Sequence, residues 1–261
     1  MKHVEASVIS NSEVMPQTHL IWLESPDIAA QARPGQFVMV RCGGNCLLHR
    51  PLSIHQADEN KIAFLFVVVG KGTQWLSSCK TGDKLDLLGP LGNGFIIQPS
   101  SQNLLLVAGG IGIAPLYSLA SLASKEGHSV KILLGARTAV QLYLKKYRYH
   151  PIKAEFVLAT EDGTSGSKGL VTNLIPRYID WSDQVFACGP TAMYYNMARK
   201  KQELKLEGKP VQISLEMRMA CGRGICYGCT VKTKNGLRQV CEDGPIFELE
   251  DIIWDDLASN C

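Results

Sequence analysis

The sequence has no long apolar run, no concentration of positive charge and no regular cysteine spacing of the disulfide-rich kind. No apolar run approaches the roughly 18 to 20 residues that span a bilayer, and the first residues lack the apolar core of a signal peptide. The formal net charge is only +3 and the basic residues are scattered, so nothing predicts nucleic-acid binding. These absences predict a soluble protein that binds neither a membrane nor nucleic acid.

Cysteines are the residue type present in excess, with nine in 261 residues. Four of them share one motif near the C-terminus, and the other five are odd in number and without a disulfide rhythm: Cys42, Cys46, Cys79, Cys188 and Cys261. Thiols that are not paired in this way are typical of a reducing compartment, so we expect a cytoplasmic setting.

The length and the 46% hydrophobic content predict two or three well-buried domains. Residues 1–99 consist of short β-rich runs separated by Pro and Gly, which predicts an antiparallel β-barrel. From about residue 101, strands alternate with helices, which predicts a parallel-sheet nucleotide-binding domain over residues 100–209. Residues 210–261 remain as a small C-terminal domain.

The C-terminal cysteine motif has the spacing C-x4-C-x2-C followed by a fourth cysteine after eleven more residues, at Cys221, Cys226, Cys229 and Cys241. This is the plant-type spacing for a [2Fe–2S] cluster. Glycines within the loop permit the positive φ angles and the close backbone approach that such a cluster needs. A structural zinc needs a second C-x2-C or a His pair, and neither is present. Ordinary buried cysteines are the remaining alternative.

Two motifs in the barrel region predict phosphate binding. In Arg50-Pro51-Leu52-Ser53, arginine suits a phosphate, proline fixes a turn, and the serine hydroxyl suits the polar edge of a planar ring. A surface strand end is the alternative for this tetrapeptide. Gly70-Lys71-Gly72-Thr73 precedes a predicted helix, whose free N–H groups suit a pyrophosphate. A plain strand-to-helix turn is the alternative there.

The segment Gly109-Gly110-Ile111-Gly112-Ile113-Ala114-Pro115 follows the buried strand Asn103 to Ala108 and leads into a helix. This segment departs from the Rossmann motif G-x-G-x-x-G, because Pro115 stands where the third glycine is expected. The second strand is followed by Arg137, where a Rossmann domain has an acidic residue that binds the ribose. The sequence therefore does not support an orthodox Rossmann ribose site. The sequence leaves the choice between NAD and NADP open.

These motifs, in this order and with Cys188-Gly189-Pro190 after the last strand, resemble the ferredoxin-reductase-type flavoprotein module. That module joins an FAD-binding barrel to a nicotinamide-binding α/β domain, and the resemblance covers residues 1 to about 205. With the cluster motif at the C-terminus, led by Glu216-x-x-Met219-Ala220, the whole chain resembles the electron-transfer subunits of NAD-dependent (class 1B) dihydroorotate dehydrogenases.

The resemblance implies a role for each motif. Residues at the flavin or its phosphates are Arg50, Pro51, Leu52, Ser53, Phe66, Val67, Val68, Gly72 and Thr73. Residues facing the nicotinamide nucleotide are Gly109, Gly110, Gly112 and Pro115. Cys188 is implied near the hydride-transfer position, although a lone Cys after a strand is as often a small buried hydrophobe.

The chemistry agrees with this resemblance, because NAD exchanges two electrons as a hydride, a [2Fe–2S] cluster exchanges one, and a flavin such as FAD does both. We find no unclaimed base, nucleophile or metal motif for an organic substrate, so the electrons must be exchanged with another chain. The resemblance implies an FMN-containing dihydroorotate dehydrogenase catalytic subunit, two copies of each chain in a heterotetramer, and a role in pyrimidine biosynthesis. Alternatives are a subunit of another ferredoxin or flavoprotein:NAD(P) oxidoreductase, some of which replace one cluster thiolate by a carboxylate, and a non-enzymatic redox sensor.

In the last 23 residues, acidic and apolar side chains are interspersed, with seven Asp or Glu and no Lys or Arg after Gln239. A solvated C-terminal helix or turn and a partner-facing surface are the two interpretations of this stretch.

Overall fold

The structure, a computed structural model, describes residues 1–44, 46–143 and 152–258. Of the cysteines singled out above, Cys261 lies outside the described residues. All eight described cysteines carry free thiols. In these ranges no helix combines the length and the apolar character needed to cross a membrane.

Six strands of the N-terminal region close into an antiparallel barrel in the order β1-β2-β5-β4-β3-β6. They are β1 (Lys2–Met15), β2 (Thr18–Glu24), β3 (Phe37–Val40), β4 (Arg50–Asp58), β5 (Lys61–Val67) and β6 (Lys84–Leu91). Two short helices accompany them, α1 (Pro26–Ala29) and α2 (Lys71–Ser78).

Strand β5 shows why the barrel sequence is so apolar. Phe64 and Phe66 point into the barrel core, whereas the alternate residues Ala63 and Leu65 pack in a second core shared with the neighbouring sheet. Because side chains alternate between the faces of a strand, β5 is buried on both sides and reads as a continuous apolar run.

A seven-stranded sheet follows, in the order β10-β9-β8-β7-β11-β12-β15. Its strands are β7 (Asn103–Gly109), β8 (Ser129–Ala136), β9 (Glu155–Thr160), β10 (Ser167–Lys168), β11 (Gln184–Cys188), β12 (Val211–Ser214) and, further along the chain, β15 (Ile246–Glu248). Its helices are α3 (Ile113–Lys125), α4 (Ile175–Tyr178) and α5 (Thr191–Arg199). All pairings are parallel except β12 with β15. The predicted fold class, a barrel followed by a parallel sheet and a small cluster region, is confirmed.

The region after residue 209 also forms a separate hairpin, β13 (Thr230–Thr233) with β14 (Gly236–Gln239), and the helix α6 (Trp254–Ala258). Strands β12 and β15 come from this region and extend the central sheet. The division into residues 1–99, 100–209 and 210–261 stays a prediction, and the hydrogen-bonded sheet runs across its second boundary.

Two predictions about local structure are wrong. Pro51 does not fix a turn, because β4 begins at Arg50 and Pro51 pairs with Met39 of β3; proline is tolerated near the start of a strand. The acidic C-terminal stretch includes the predicted helix but is not simply solvated, because Leu249 and Ile252 are almost fully buried in the core that includes the central sheet. Its apolar side chains build the core of the chain itself, which also removes most of them from a partner-facing surface.

Candidate functional site

The two predicted phosphate-binding motifs meet in space. A Cβ atom added to Gly72, at the start of α2, would lie 2.7 Å from Nε of Arg50. The Arg50 guanidinium therefore lies directly against the first turn of this helix, at a position where any side chain on residue 72 would displace it. Its Nη1 group donates a hydrogen bond to the Leu48 carbonyl, 2.6 Å away, which fixes its direction. A helix N-terminus beside an arginine combines free N–H donors with positive charge, the chemistry that a pyrophosphate requires.

Thr73 stabilises the turn that begins α2. Its hydroxyl accepts hydrogen bonds from the N–H groups of Val69 (2.9 Å) and Gly70 (3.2 Å) and donates to the Gly70 carbonyl. Because the hydroxyl is already used, the predicted contact of Thr73 with a cofactor falls to its backbone N–H. The role of Thr73 stays a prediction.

The remaining residues predicted at the flavin lie at one end of the barrel. Pro51, Leu52 and Ser53 are half-buried at the start of β4, and Val67 and Val68 are half-buried at the end of β5. Because β4 and β5 are antiparallel neighbours, these two ends lie side by side. Phe66 differs from them: its ring is buried in the barrel core and stacks on His19, so only its backbone remains available to a ligand.

The glycine segment after β7 packs against the segment after β11, as expected for two neighbouring parallel strands. A Cβ atom on Gly112 would lie 2.0 Å from the Cys188 carbonyl oxygen, and one on Gly109 would lie 3.0 Å from Pro190. Gly110 has a φ of +55°, a conformation that favours glycine. The two predicted nicotinamide motifs therefore form one site at the carboxyl ends of β7 and β11, with Pro115 buried in the first turn of α3.

Cys188 lies in this crevice as a neutral thiol. Burial raises the pKa of Cys188 to about 12. Hydrogen bonds with Tyr194 and Ser214 lower this pKa, and the charge of Glu216 raises it, but burial is the largest effect. The Tyr194 hydroxyl accepts a hydrogen bond from the Gly189 N–H (2.9 Å) and donates to the Ser214 carbonyl (2.6 Å). Sequence reasoning missed Tyr194, because a tyrosine on a helix carries no motif and its partners are backbone groups.

The cysteine loop directs backbone donors at its sulfur atoms. The Gly224 N–H lies 3.1 Å from Cys241 Sγ, the Arg223 N–H lies 3.4 Å from Cys221 Sγ, and the Cys241 N–H lies 3.4 Å from Cys229 Sγ. Gly222 and Gly224 have φ angles of +67° and +71°, which aim these groups. In the ranges that the structure describes, no three Cys, His, Asp or Glu side chains converge closely enough to hold a metal ion. The N–H to sulfur contacts and the glycine conformations nevertheless fit a thiolate-bound cluster.

The pKa values of the loop cysteines differ with their surroundings. Burial alone raises the pKa of Cys221, but hydrogen bonds from Arg223, Cys226 and Ile225 outweigh it and bring this pKa down to about 6. Burial raises the pKa of Cys241 to about 12, and its neighbours Cys229 and Cys221 add to the increase despite the Gly224 N–H. The loop therefore combines a thiol that ionises easily with one in the hydrophobic core.

The same loop lies directly on the barrel. A Cβ atom on Gly222 would lie 2.7 Å from Cγ of Met39 in β3 and 3.3 Å from Leu91 in β6. Met39 is in turn the strand partner of Pro51, in the predicted flavin motif. Ile225 and Tyr227, also on the loop, expose 71% and 68% of their surface, so one side of the loop contacts the barrel and the other faces outward.

A buried histidine joins the barrel to the sheet domain. His55 of β4 is fully buried, with Nδ1 2.9 Å from the Ala114 carbonyl of α3 and Nε2 3.1 Å from the Tyr143 hydroxyl. Burial lowers the pKa of His55 to about 4, although the Ala114 carbonyl favours the charged form. The neutral ring therefore carries its proton on Nδ1, which donates to the carbonyl, and Nε2 accepts from Tyr143. Sequence reasoning missed His55 as well.

Comparison with protein families gives two matches. The model of the iron-sulfur cluster binding domain of dihydroorotate dehydrogenase B matches residues 216–253, and the model of the oxidoreductase NAD-binding domain matches residues 106–199. These ranges contain the cysteine loop and the crevice at the carboxyl ends of β7 and β11.

Full-length relatives give the same result. The dihydroorotate dehydrogenase B (NAD(+)), electron transfer subunit, of Desulforamulus reducens is 38% identical over 97% of this chain and 99% of its own length. The protein of the same name from Clostridium acetobutylicum is 41% identical over 87% of this chain and 88% of its own length. Among solved structures, an NADH-dependent reduced ferredoxin-NADP oxidoreductase studied for flavin-based electron bifurcation has a TM-score of 0.87 and 33% identity, over 97% of this chain and 91% of that one.

Proposed function

Because the chain belongs to the family of dihydroorotate dehydrogenase B (NAD(+)) electron transfer subunits, we propose that it carries electrons between NAD and the FMN of a catalytic partner subunit. A partner catalytic subunit follows from the family, and FAD, a [2Fe–2S] cluster and NAD are the cofactors. The proposal adds that the partner oxidises dihydroorotate, that two copies of each chain assemble, and that the complex works in the cytoplasm. The free thiols of the described residues support the last point.

One observation carries this proposal: the three predicted sites are joined by direct contacts. The cysteine loop rests on Met39 through Gly222, and Met39 pairs with Pro51 of the predicted flavin motif. His55, on the same strand as Pro51, contacts Ala114 beside the predicted nicotinamide glycines. A chain that relays electrons needs its three sites in this kind of succession.

Each group of residues has a distinct task in this proposal. Arg50 and the first turn of α2 bind the pyrophosphate of FAD, and the four loop cysteines hold the cluster. Gly109 and Gly112 allow the segments after β7 and β11 to pack closely around the nicotinamide site, and Tyr194 orients the Gly189 N–H there. Cys188 contributes a neutral thiol to the crevice wall. When bound, FAD interconverts the two-electron chemistry of NAD and the one-electron chemistry of the cluster.

Replacing Cys226 by Ser tests the relay. We expect loss of the cluster absorbance with FAD retained, because the loop lies outside the barrel end that is proposed to bind the flavin. NADH-dependent reduction of a two-electron dye should persist, and electron exchange with the partner should fail. Cys79→Ser, at a thiol outside the loop, is the matched control. Dihydroorotate:NAD activity that survives in a cluster-free variant excludes the relay.

Replacing Arg50 by Ala tests the proposed flavin site. Loss of a charge-assisted phosphate contact costs about 1.5 to 3 kcal/mol, so the Kd for FAD should rise roughly ten- to a hundredfold. Flavin fluorescence after dialysis measures this change. Unaltered flavin retention means that the phosphates bind elsewhere.

A second candidate function is supported by the similarity to the ferredoxin-NADP oxidoreductase, which covers almost the whole chain. In that case the outside partner is a different flavoprotein or ferredoxin. Four cysteines at the loop, with no carboxylate in their place, favour the first proposal. Purification of the native protein decides between them: co-purification with a chain that oxidises dihydroorotate supports the first, and co-purification with another flavoprotein supports the second.

A further inference from the structure

A short loop leaves the barrel after β6 and makes an unusual contact through Asn93. The Asn93 Nδ2 group donates to the carbonyls of Asp243 (2.9 Å) and Ile246 (3.0 Å), and Oδ1 accepts from the Ile246 N–H (2.9 Å). The backbone N–H of Asn93 adds a hydrogen bond to the Gly244 carbonyl, 2.6 Å away. One residue thus makes four hydrogen bonds to residues 243–246.

The segment that Asn93 holds is directly connected to the cysteine loop. It begins two residues after Cys241, the fourth predicted cluster ligand, and continues into β15. Gly92 reinforces the contact, because a Cβ atom there would lie 2.6 Å from the Gly244 carbonyl oxygen. Gln36 donates to the Gly92 carbonyl (2.8 Å), which ties the short loop to the start of β3.

The other end of the cysteine loop rests on the same two strands. Gly222 follows Cys221 and packs on Met39 of β3 and Leu91 of β6, and Leu91 is two residues before Asn93. The loop is therefore attached to the barrel at both ends, by close packing after its first ligand and by hydrogen bonds after its last.

We propose that Asn93 is a positioning residue for electron transfer, which fixes the distance between the flavin site of the barrel and the cluster site of the loop. This inference rests on the proposed function. Asn93 acts through the chain that carries the ligands, because its four described hydrogen bonds go to backbone groups of residues 243–246. Its carboxamide bonds to the chain as a neighbouring peptide group would, because its two N–H donors pair with two carbonyls and its oxygen accepts from one N–H.

The test compares Asn93→Ala with Gln184→Ala. Gln184 is also a buried amide, and it bonds to the segment between the barrel and the sheet, at Ile96 and Gln98; none of its described hydrogen bonds is made to residues 243–246. It therefore controls for a general loss of stability. Asn93→Leu, which keeps the approximate size but removes the acceptor and both donors, is the second variant and replaces Asn93→Ala should that chain not fold.

The first readout is hydrogen exchange in the purified holoprotein. Loss of the side-chain hydrogen bonds of Asn93 should raise exchange at the Ile246 amide about tenfold to a hundredfold, with no comparable change in Gln184→Ala. The second readout is the rate at which NADH reduces the bound cluster itself, followed by bleaching of the cluster absorbance after rapid mixing. It should fall several-fold, because the rate of electron tunnelling decreases exponentially with the distance between the two groups. Reduction of a two-electron dye should not change.

Faster exchange with an unchanged rate of cluster reduction overturns the inference and leaves Asn93 with a purely structural role. An equal fall in Gln184→Ala overturns it too. The proposed function fails in a different way, since the unmodified protein then shows no NADH-driven reduction of the cluster at all.

Discussion

The barrel is joined to the rest of the chain by two junctions of opposite construction. Its junction with the sheet domain is made of side chains, with His55 buried among Tyr117 and Tyr143 and bonded to α3. Its junction with the cysteine loop uses backbone, with Gly222 packed on Met39 and Leu91, Gly92 against the Gly244 carbonyl, and the Asn93 side chain bonded to peptide groups. The first junction depends on buried side chains of both partners, and the second depends on close approach and hydrogen bonding of backbone.

The difference determines what each junction tolerates. A side-chain junction responds to volume and to protonation, because its stability comes from burial of rings and a neutral imidazole. A backbone junction responds to φ angles and to any added Cβ atom. The following predictions test this contrast, beginning with the largest effect.

Truncation after Asp243 should prevent folding. It removes β15 and the buried residues Leu249, Ile252 and Leu257, which share a hydrophobic core with residues of the central sheet. Loss of one such side chain costs about 2 to 5 kcal/mol, and the total stability of a domain is only about 5 to 15 kcal/mol. Circular dichroism on heating measures the result.

Two point variants compare a buried and a more exposed side chain of the same segment. Leu249→Ala, at a side chain 1% exposed, should lose about 2 to 5 kcal/mol, and Ile253→Ala, 37% exposed, should lose less. A truncated chain that melts like the full chain contradicts the placement of β15 in the sheet.

Acidification should weaken the junction at His55. The pKa of this group falls from 6.5 in the unfolded chain to about 4 in the folded protein, so only the unfolded chain takes up a proton between these values. The free energy of unfolding is therefore not reduced by this group above pH 6.5, and it decreases by about 3 kcal/mol as the pH falls from 6.5 to 4. Urea unfolding at a series of pH values measures it.

His55→Gln serves as the matched variant, because an amide keeps a donor and an acceptor but does not titrate. The difference in stability between the two proteins should narrow as the pH falls from 6.5 to 4. A difference that is constant over this range shows that His55 does not titrate as the structure indicates.

The smallest effect is expected for alanine at the backbone junction. Gly222 and Gly208 have nearly equal φ angles of +67° and +70°, but only Gly222 has a neighbour in the way, whereas a Cβ atom on Gly208 meets nothing within 4 Å. Gly208→Ala should cost about 1 kcal/mol for the backbone conformation alone, and Gly222→Ala about twice that. Thermal unfolding and cluster absorbance measure both variants. Equal losses of stability would mean that the Met39 side chain moves aside for the added Cβ atom without a measurable loss of free energy.

The sequence predicted those parts of the structure that depend on local signals. Glycine and cysteine motifs report backbone conformation and ligand chemistry directly, and the family resemblance that these motifs carry implied that Arg50 lies near Gly72 and that Gly112 lies near Cys188. The barrel and the parallel sheet followed from apolar runs and their punctuation.

The parts that were missed depend on distant partners. Pro51 is compatible with a turn and with a strand, and only its pairing with Met39 decides. The pairing of β12 with β15 joins segments more than 30 residues apart, and the acidic composition of the second segment concealed it. His55, Asn93 and Tyr194 bond to backbone groups whose positions are set by the tertiary structure, so no residue pattern identifies them.

The pairing of β12 with β15 has a consequence for the mechanics of the cysteine loop. These strands flank the whole cysteine loop, so they form its stem, and neighbouring strands lie about 4.7 to 4.9 Å apart. The sheet therefore holds the two ends of the loop beside each other through backbone hydrogen bonds. Any sliding of β15 along β12 would shift one end of the loop against the other.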